Sequence, residues 1–411
     1  MTQRLEALVR AHWWSAVASV TRATGGDLGL AEDAVQEACA AALAQWPAEG
    51  TPGNPLGWLI RVARRRAIDR QRREARRAEK EAAAMSAPTP PDADPAARVP
   101  DDDLGLIFLC CHPALDPATR IALTLRCVCG LSTAEIAAAL LVPEPTLAKR
   151  LVRGRARIRD AGIRFRTPDA RDLRERLPDV LRVVYLVFTE GHMASGGREL
   201  VRGELCEAAI GLARALAELL PGEPEVAGLL ALLLLTDSRR PARTDAGGNL
   251  VLLEDQDRSR WDRALVAEGE AVLERALRAG RPGPYQLHAA IAACHSTAPA
   301  AAATDWRQIA LLYGELVRHE PTPVVEANRA VAVAMSEGPA AGLVILDAVA
   351  HHPQLRRWPQ LHVARAGLLA RMGRAVEAAA AYRAALELEP PAAERRFIAA
   401  RIRALDADPS A

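Results

Sequence analysis

Two arrays of arginine carry the densest chemistry in the sequence. Between Arg61 and Lys80, ten Lys or Arg stand against Asp69, Glu74 and Glu79; between Lys149 and Arg166, eight stand against Asp160 alone. Each island therefore carries +7, while the whole chain carries only +2. Guanidinium groups at that density bind phosphate and can donate in pairs to the O6 and N7 edge of guanine. The second array is ordered. Thr146, Lys149, Arg150, Arg153 and Arg157 share one helical face, and Leu147, Leu151 and Ile158 share another. DNA is the polyanion such a stripe fits, and a solvated surface helix is the competing reading of these residues alone. Arginine usage by itself adds little, because Lys80 and Lys149 are the only lysines, a bias that a GC-rich coding sequence also produces.

Helices must position both arrays. Alanine, leucine and arginine dominate, aromatics are scarce, and apolar positions recur every three or four residues, which predicts an all-α fold. In "LSTAEIAAALLVPEPTLAKRLVRGRARIR", Ser132 and Glu135 form an S-x-x-E capping box, Ile136 and Leu140 give an apolar face, and Pro143 to Pro145 end one helix and begin another. That is the grammar of a helix-turn-helix. The first array lies on a helix predicted over 55–76, entered through Asn54 and Pro55, with Trp58, Leu59, Val62, Ala63 and Ile68 as its apolar stripe. With helices near 2–24 and 29–46 it makes a small bundle. The prolines and acids of "AMSAPTPPDADPAARVP" separate the arrays. The expected organisation is a first domain over 1–80, a linker over 81–100, a helix-turn-helix domain over 101–165 and a C-terminal part over 166–411.

The C-terminal part carries a repeat. In "RMGRAVEAAAAYRAALELEP", Gly373, Ala378, Tyr382, Ala385 and Pro390 stand where tetratricopeptide repeats place small, aromatic, small and terminating residues. Ile309, Tyr313, Leu316 and Pro321 reproduce the spacing from Ala378 to Pro390, and Gly342, Leu346, Val349 and Pro353 nearly do, so three stacked helical pairs are expected within about 285–390. Such a stack offers a concave surface to a protein partner, or serves only as a scaffold. "DAGGNLVLLEDQDRSRWD" interrupts the helices: Gly247, Gly248 and Asn249 make a turn, Leu250 to Leu253 a short extended run, and Ser259 with Asp262 a helix cap. Glu254, Asp255, Asp257 and Arg258 are candidates for a regulatory docking or ligand loop. A capped connection with internal ion pairs is the equal alternative.

The remaining signals are negative. The seven cysteines lack the paired spacing of a zinc site or disulfide framework and suit a reducing cytoplasm; Cys110, Cys111 and His112 read as core rather than as a metal or redox group. The most apolar run, Val226 to Thr236, is far too short to span a membrane. An enzymatic reading would recruit Glu190, His192, Asp255, Asp257 and His288, but no nucleophile motif, metal spacing or phosphate loop accompanies them. No catalytic group, cofactor or metal is expected.

Together these stretches resemble sigma factors of the extracytoplasmic-function group of the sigma-70 family, the dissociable subunits that bring bacterial RNA polymerase to promoters. "LAEDAVQEACAAALAQWP" followed by "NPLGWLIRVARRRAIDRQRR" is similar to region 2 of that family, and the helix-turn-helix stretch is similar to region 4. "TEGHMASGG", "DQDRSRWD", "GPYQLHAAIAACH", "TDWRQIALLYGEL" and "ANRAVAVAM" resemble the tetratricopeptide-like extension of one subgroup. The resemblance implies that Asp33, Gln36 and Glu37 face the clamp helices of the polymerase β′ subunit. It implies that Trp58, Arg61, Arg64, Arg65 and Arg72 hold the −10 strand, and that Thr146, Lys149, Arg150, Arg153 and Arg157 enter the −35 major groove. Trp58 also has a core reading. Arg65 stands where many relatives have Asn in an A-R-N-R-A-I-D string, which bears on base preference there. A linker of roughly 20 residues spans about 65 Å at full extension, enough for promoter elements roughly 50 to 55 Å apart. The extension is expected to supply the regulation that a separate anti-sigma factor provides elsewhere. A free-standing helix-turn-helix regulator with a ligand- or protein-sensing repeat domain is the alternative, and it leaves the first arginine array unassigned.

Overall fold

The computed structural model describes residues 2–81, 100–140, 142–193, 200–353, 355–356 and 358–407; the acidic linker expected over 81–100 lies almost wholly outside them. Among the described residues the regular structure is helical, with one isolated bridge between Thr244 and Leu250. The chain divides into two compact units, Met1–Leu186 and Val187–Ala411.

In the first unit, α1 (Thr2–Ala23), α2 (Leu28–Glu49) and α3 (Pro55–Glu81) pack against one another as a bundle. Asp27 caps α2 by accepting from the Leu30 amide at 3.0 Å, and Asn54 accepts from the Gly57 amide at 2.8 Å, which sets the start of α3. The stripe of α3 is turned slightly from the expected one: Leu59, Ile60, Ala63 and Ala67 are buried, whereas Trp58, Val62 and Ile68 are half-buried. α4 (Pro100–Cys110) packs on α1, and α5 (Pro117–Leu123) continues through a π turn at Thr124–Val128. α6 (Thr133–Ala139) and α7 (Glu144–Asp160) follow, with Leu123, Leu125, Ile136, Leu147, Leu151 and Ile158 in the core. Cys110 and Cys111 are buried, and burial pushes Cys111 up to about 11, while His112 Nδ1 accepts from the Ala114 amide at 3.1 Å. Cys110 and Cys111 thus lie in the core, while His112 stands half-buried at the turn after α4.

α8 (Ala170–His192) begins in the first unit and ends in the second. There α9 (Gly203–Leu219), α10 (Pro224–Asp237), α11 (Arg263–Leu277) and α12 (Pro284–Ser296) follow, with α10 packed by the other three. This accounts for the apolar run: Leu229, Leu230, Leu232, Leu233, Leu234 and Leu235 are all buried, as a helix surrounded on all sides requires. The stack continues through α13 (Trp306–His319), α14 (Pro323–Glu337), α15 (Pro339–Val349), α16 (Pro359–Arg371), α17 (Ala375–Glu387) and α18 (Ala392–Ala407), each packed on the next. The repeat-signature residues Ile309, Leu316, Gly342, Leu346, Ala378, Tyr382 and Ala385 are buried on α13, α15 and α17. At Gly342 a Cβ would stand 2.4 Å from the Ala330 carbonyl oxygen, so glycine is what lets α14 and α15 approach.

Candidate nucleic-acid interface

The expected capping box forms. Ser132 N–H donates to Glu135 Oε2 at 2.6 Å, and Glu135 N–H to Ser132 Oγ at 3.1 Å, which starts α6. After the proline turn, the amides of Thr146 and Leu147 both return to the Pro143 carbonyl and start α7. Leu147, Leu151, Gly154 and Ile158 are buried on that helix; Thr146, Lys149, Arg153 and Arg157 are exposed, and Arg150 is half-buried. At Gly154 a Cβ would stand 2.6 Å from Thr119 Cγ2, so α5 lies directly against α7. Beside that contact runs a cleft of about 590 Å³, edged by Arg150, Arg153 and Arg157 and by Asp116. Asp116 already accepts from Thr119 Oγ1 at 2.6 Å and Thr119 N–H at 3.0 Å, and the Thr119 hydroxyl, above all, holds its carboxyl below the usual range. The cleft thus presents three guanidinium groups beside a carboxylate that has its own partners.

On α3, Arg61, Arg65 and Arg72 are exposed on one helical face, and Arg64 is half-buried. Two other arginines turn to α2: Arg66 pairs with Glu37 at 3.3 Å and Arg70 with Asp33 at 3.0 Å. Asp33, Gln36 and Glu37 are all exposed, so an acidic face of α2 borders the arginines of α3. Trp58 packs edge-on against buried Trp46, with ring centroids 5.3 Å apart at 69°.

Several contacts that sequence reasoning passed over join these helices. Glu32, 2 % exposed, is held by both Arg126 and Arg155. Arg126 also donates to the Leu131 carbonyl at 3.0 Å, and Trp13 Nε1 donates to the Cys127 carbonyl at 3.2 Å. Arg22 pairs with Asp102 at 3.2 Å, and Ser15 donates to Asp103 at the same distance. Neighbouring residues of α2 therefore hold both cationic helices: Glu32 binds Arg155 of α7, and Asp33 binds Arg70 of α3. Glu32 shares its helical face with Leu28 and Val35, so a buried acid was visible in the sequence. Its partners were not, since they lie 94 and 123 residues away.

In the second unit, the loop candidates separate. Glu254 pairs with Arg371 at 2.7 Å, and Arg258 is buried and donates to the carbonyls of His295 and Ala298. Asp257 accepts from Ser259 N–H and Oγ, and Asp255 is exposed. The helix cap is Asp262 alone, accepting from the amides of Ala264 and Leu265, because Ser259 is taken by Asp257. The residues an enzymatic reading would recruit have separate partners: His288 meets Glu320 at 3.4 Å, and His192 lies with Cys206 and Asp237. Burial, then Arg243, Arg239 and Arg240, push His192 well below its usual range, and burial pushes Cys206 up to about 12. The guanidinium groups of Arg243, Arg239 and Arg240 around His192 disfavour a cation there.

A helix-turn-helix with a cationic outer face, joined to a bundle that carries a second cationic helix, defines the class of DNA-binding transcription proteins. The chain belongs to the sigma-70 family: residues 11–77 match sigma-70 region 2 and residues 105–158 match sigma-70 region 4. Residues 176–277 match a family of unknown function, DUF6596. An uncharacterized protein of Rhizobium meliloti (strain 1021) is 46% identical over 394 residues, 93% of this chain and 92% of that one, so the likeness runs through the extension. No solved structure matches the chain. The protein is an RNA polymerase sigma factor for promoter-specific transcription initiation, with core polymerase and promoter DNA as its partners, and sigma factor families are not enzymes. Most of the first arginine array lies within the region 2 match, a segment that the free-standing-regulator alternative leaves unassigned. Among the described residues no helix is long and apolar enough to cross a membrane.

Proposed function

We propose that α7 reads the −35 major groove with Thr146, Lys149, Arg150, Arg153 and Arg157, while Trp58, Arg61, Arg64, Arg65 and Arg72 hold the −10 strand. Asp33, Gln36 and Glu37 meet the clamp helices of β′. What supports this assignment above all is the exposed cationic row of α7, set behind a capped helix and a proline turn and edging a cleft with few acids. The protein acts in the cytoplasm, where the second unit regulates the first. Leu311, Val344 and Val376 stand exposed on α13, α15 and α17, and such apolar side chains on successive repeat helices suit a protein partner of the stack.

The test is in vitro transcription with core polymerase. Arg150→Ala with Arg153→Ala should lower promoter-directed transcripts about tenfold or more and relax the preference for the −35 sequence. Affinity for core polymerase should be unchanged. Equal loss of core binding would contradict a direct role at DNA.

A further inference from the structure

A cavity of about 460 Å³ opens in the second unit where the loop after the Thr244–Leu250 bridge crosses the repeat helices. That volume falls within the roughly 300 to 1,000 Å³ usual for small-molecule sites. Its walls are apolar: Leu252 and Leu253 come from the loop, Trp306 from α13, and Val331 and Met335 from α14.

Two arginines face this space, and their situations differ. Arg371 is 44% exposed, pairs with Glu254 at 2.7 Å and sets Nη1 2.8 Å from Met335 Sδ, forming a neutralised rim. Arg258 is 9% exposed and, among the described residues, has no carboxylate partner. Its Nη1 donates to the His295 carbonyl at 2.6 Å and the Ala298 carbonyl at 2.7 Å, and its guanidinium lies over the Trp261 ring at 4.5 Å. Nε and Nη2 make no hydrogen bond to the described residues. Enclosed guanidinium without a counter-ion is unfavourable, and the surroundings worsen it. Burial, with Arg243 and Arg258, pushes Arg239 down to about 10; burial, with Arg239 and Arg258, pushes His295 down to about 4, so that ring is neutral at pH 7. His295 Nδ1 is itself buried without a hydrogen-bond partner among the described residues, and its ring packs edge-on to Trp306 at 5.1 Å.

We propose that this cavity binds a small organic carboxylate with an apolar or aromatic body, its carboxylate on Arg258 and its body between Trp306, Val331 and Met335. A planar monoanion suits a single guanidinium fork. A phosphate dianion would call for a second free cation, and Arg371 is already neutralised by Glu254. The occupant would also bear on the loop itself, which is fastened to α16 by the Glu254–Arg371 pair and to α18 by Arg396, donating to Asn249 Oδ1 at 2.8 Å and the Gly248 carbonyl at 2.9 Å.

Calorimetry on the full chain tests this without reference to transcription. The probes are 3-phenylpropionate, indole-3-propionate and octanoate, each beside its amide, with phenyl phosphate as the dianion. At least one carboxylate should bind saturably, one to one, and about tenfold or more tighter than its amide. Arg258→Gln should remove that preference. Because Arg258 also ties down α12, Val331→Trp provides the independent arm: it fills the cavity from α14, and it should abolish binding while the unfolding midpoint stays near that of the parent. No saturation by about 10 mM, amides binding as well as acids, phenyl phosphate binding tightest, or binding that survives Val331→Trp would each overturn the proposal.

Discussion

Arg153, Arg155 and Arg157 sit within one helical turn of one another, yet the middle one faces inward. Arg153 and Arg157 are exposed beside the cleft, and Arg155 is committed to a buried carboxylate. Charge identity alone therefore assigns no role; burial does. The same holds for the histidines of the second unit. His295 is neutral in the folded chain, pushed down to about 4 from an ordinary 6.5 by burial and by Arg239 and Arg258. The unfolded chain takes up its proton near 6.5, so between those values it binds more protons than the folded chain does, and stability falls as pH drops. The loss is absent above about pH 6.5 and reaches at most about 3 kcal/mol at the acid end of the window. Urea unfolding of the parent and of His295→Gln at pH 7 and pH 4.5 reads this directly. The parent should lose more stability on acidification than the variant, and parallel losses would place the acid sensitivity elsewhere.

Helices were readable because their causes are local. Ser132 and Glu135 announced a start; the apolar run of Val226 to Thr236 was read only as too short for a membrane and Gly342 only as a repeat position, though the structure gives each a local cause, a helix surrounded on all sides and a close approach of two helices. Gly342→Ala should therefore cost about 2 kcal/mol or more, because overpacking at a site walled by backbone leaves nothing flexible to move. Thermal unfolding measures it, and a neutral result would mean that α14 and α15 can separate freely. What sequence could not supply were pairings between distant elements. Arg258 finds the carbonyls of His295 and Ala298, 37 and 40 residues on, and Arg371 finds Glu254 across 117 residues. The cavity exists only because those elements meet, so the loop looked equally like a ligand loop and a capped connection. Even local reasoning missed where two acids compete, as with Asp257 taking Ser259 and leaving Asp262 to cap α11 alone. The apolar stripe of α3 was read nearly right and was turned by one position, since Ile60 and Ala67 rather than Trp58 and Ile68 face inward.

The two cationic helices, α3 and α7, belong to one packed unit, and that has a geometric consequence for the proposed promoter contacts. An arginine–carboxylate bridge spans at most about 15 Å between Cα atoms, and neighbouring Cα atoms are about 3.8 Å apart, so Arg70 and Arg155, held by Asp33 and Glu32, lie within roughly 34 Å of each other. Promoter elements one and a half turns apart are separated by about 50 to 55 Å. For α7 to read −35 while α3 holds −10, Arg155 and Arg126 must leave Glu32, and the first unit must open. Cysteines introduced at exposed Gln45 on α2 and Ala148 on α7, with the partly accessible Cys129 and Cys294 changed to serine, give a donor–acceptor pair for energy transfer. Efficiency should be high in the free chain and fall when core polymerase and promoter DNA are added together. Glu32→Gln, which keeps the side-chain volume and removes the charge that both arginines seek, should lower the efficiency of the free chain. Efficiency that stayed high on the promoter would mean that a closed unit reaches both elements, which B-form DNA permits only if it is sharply bent between them.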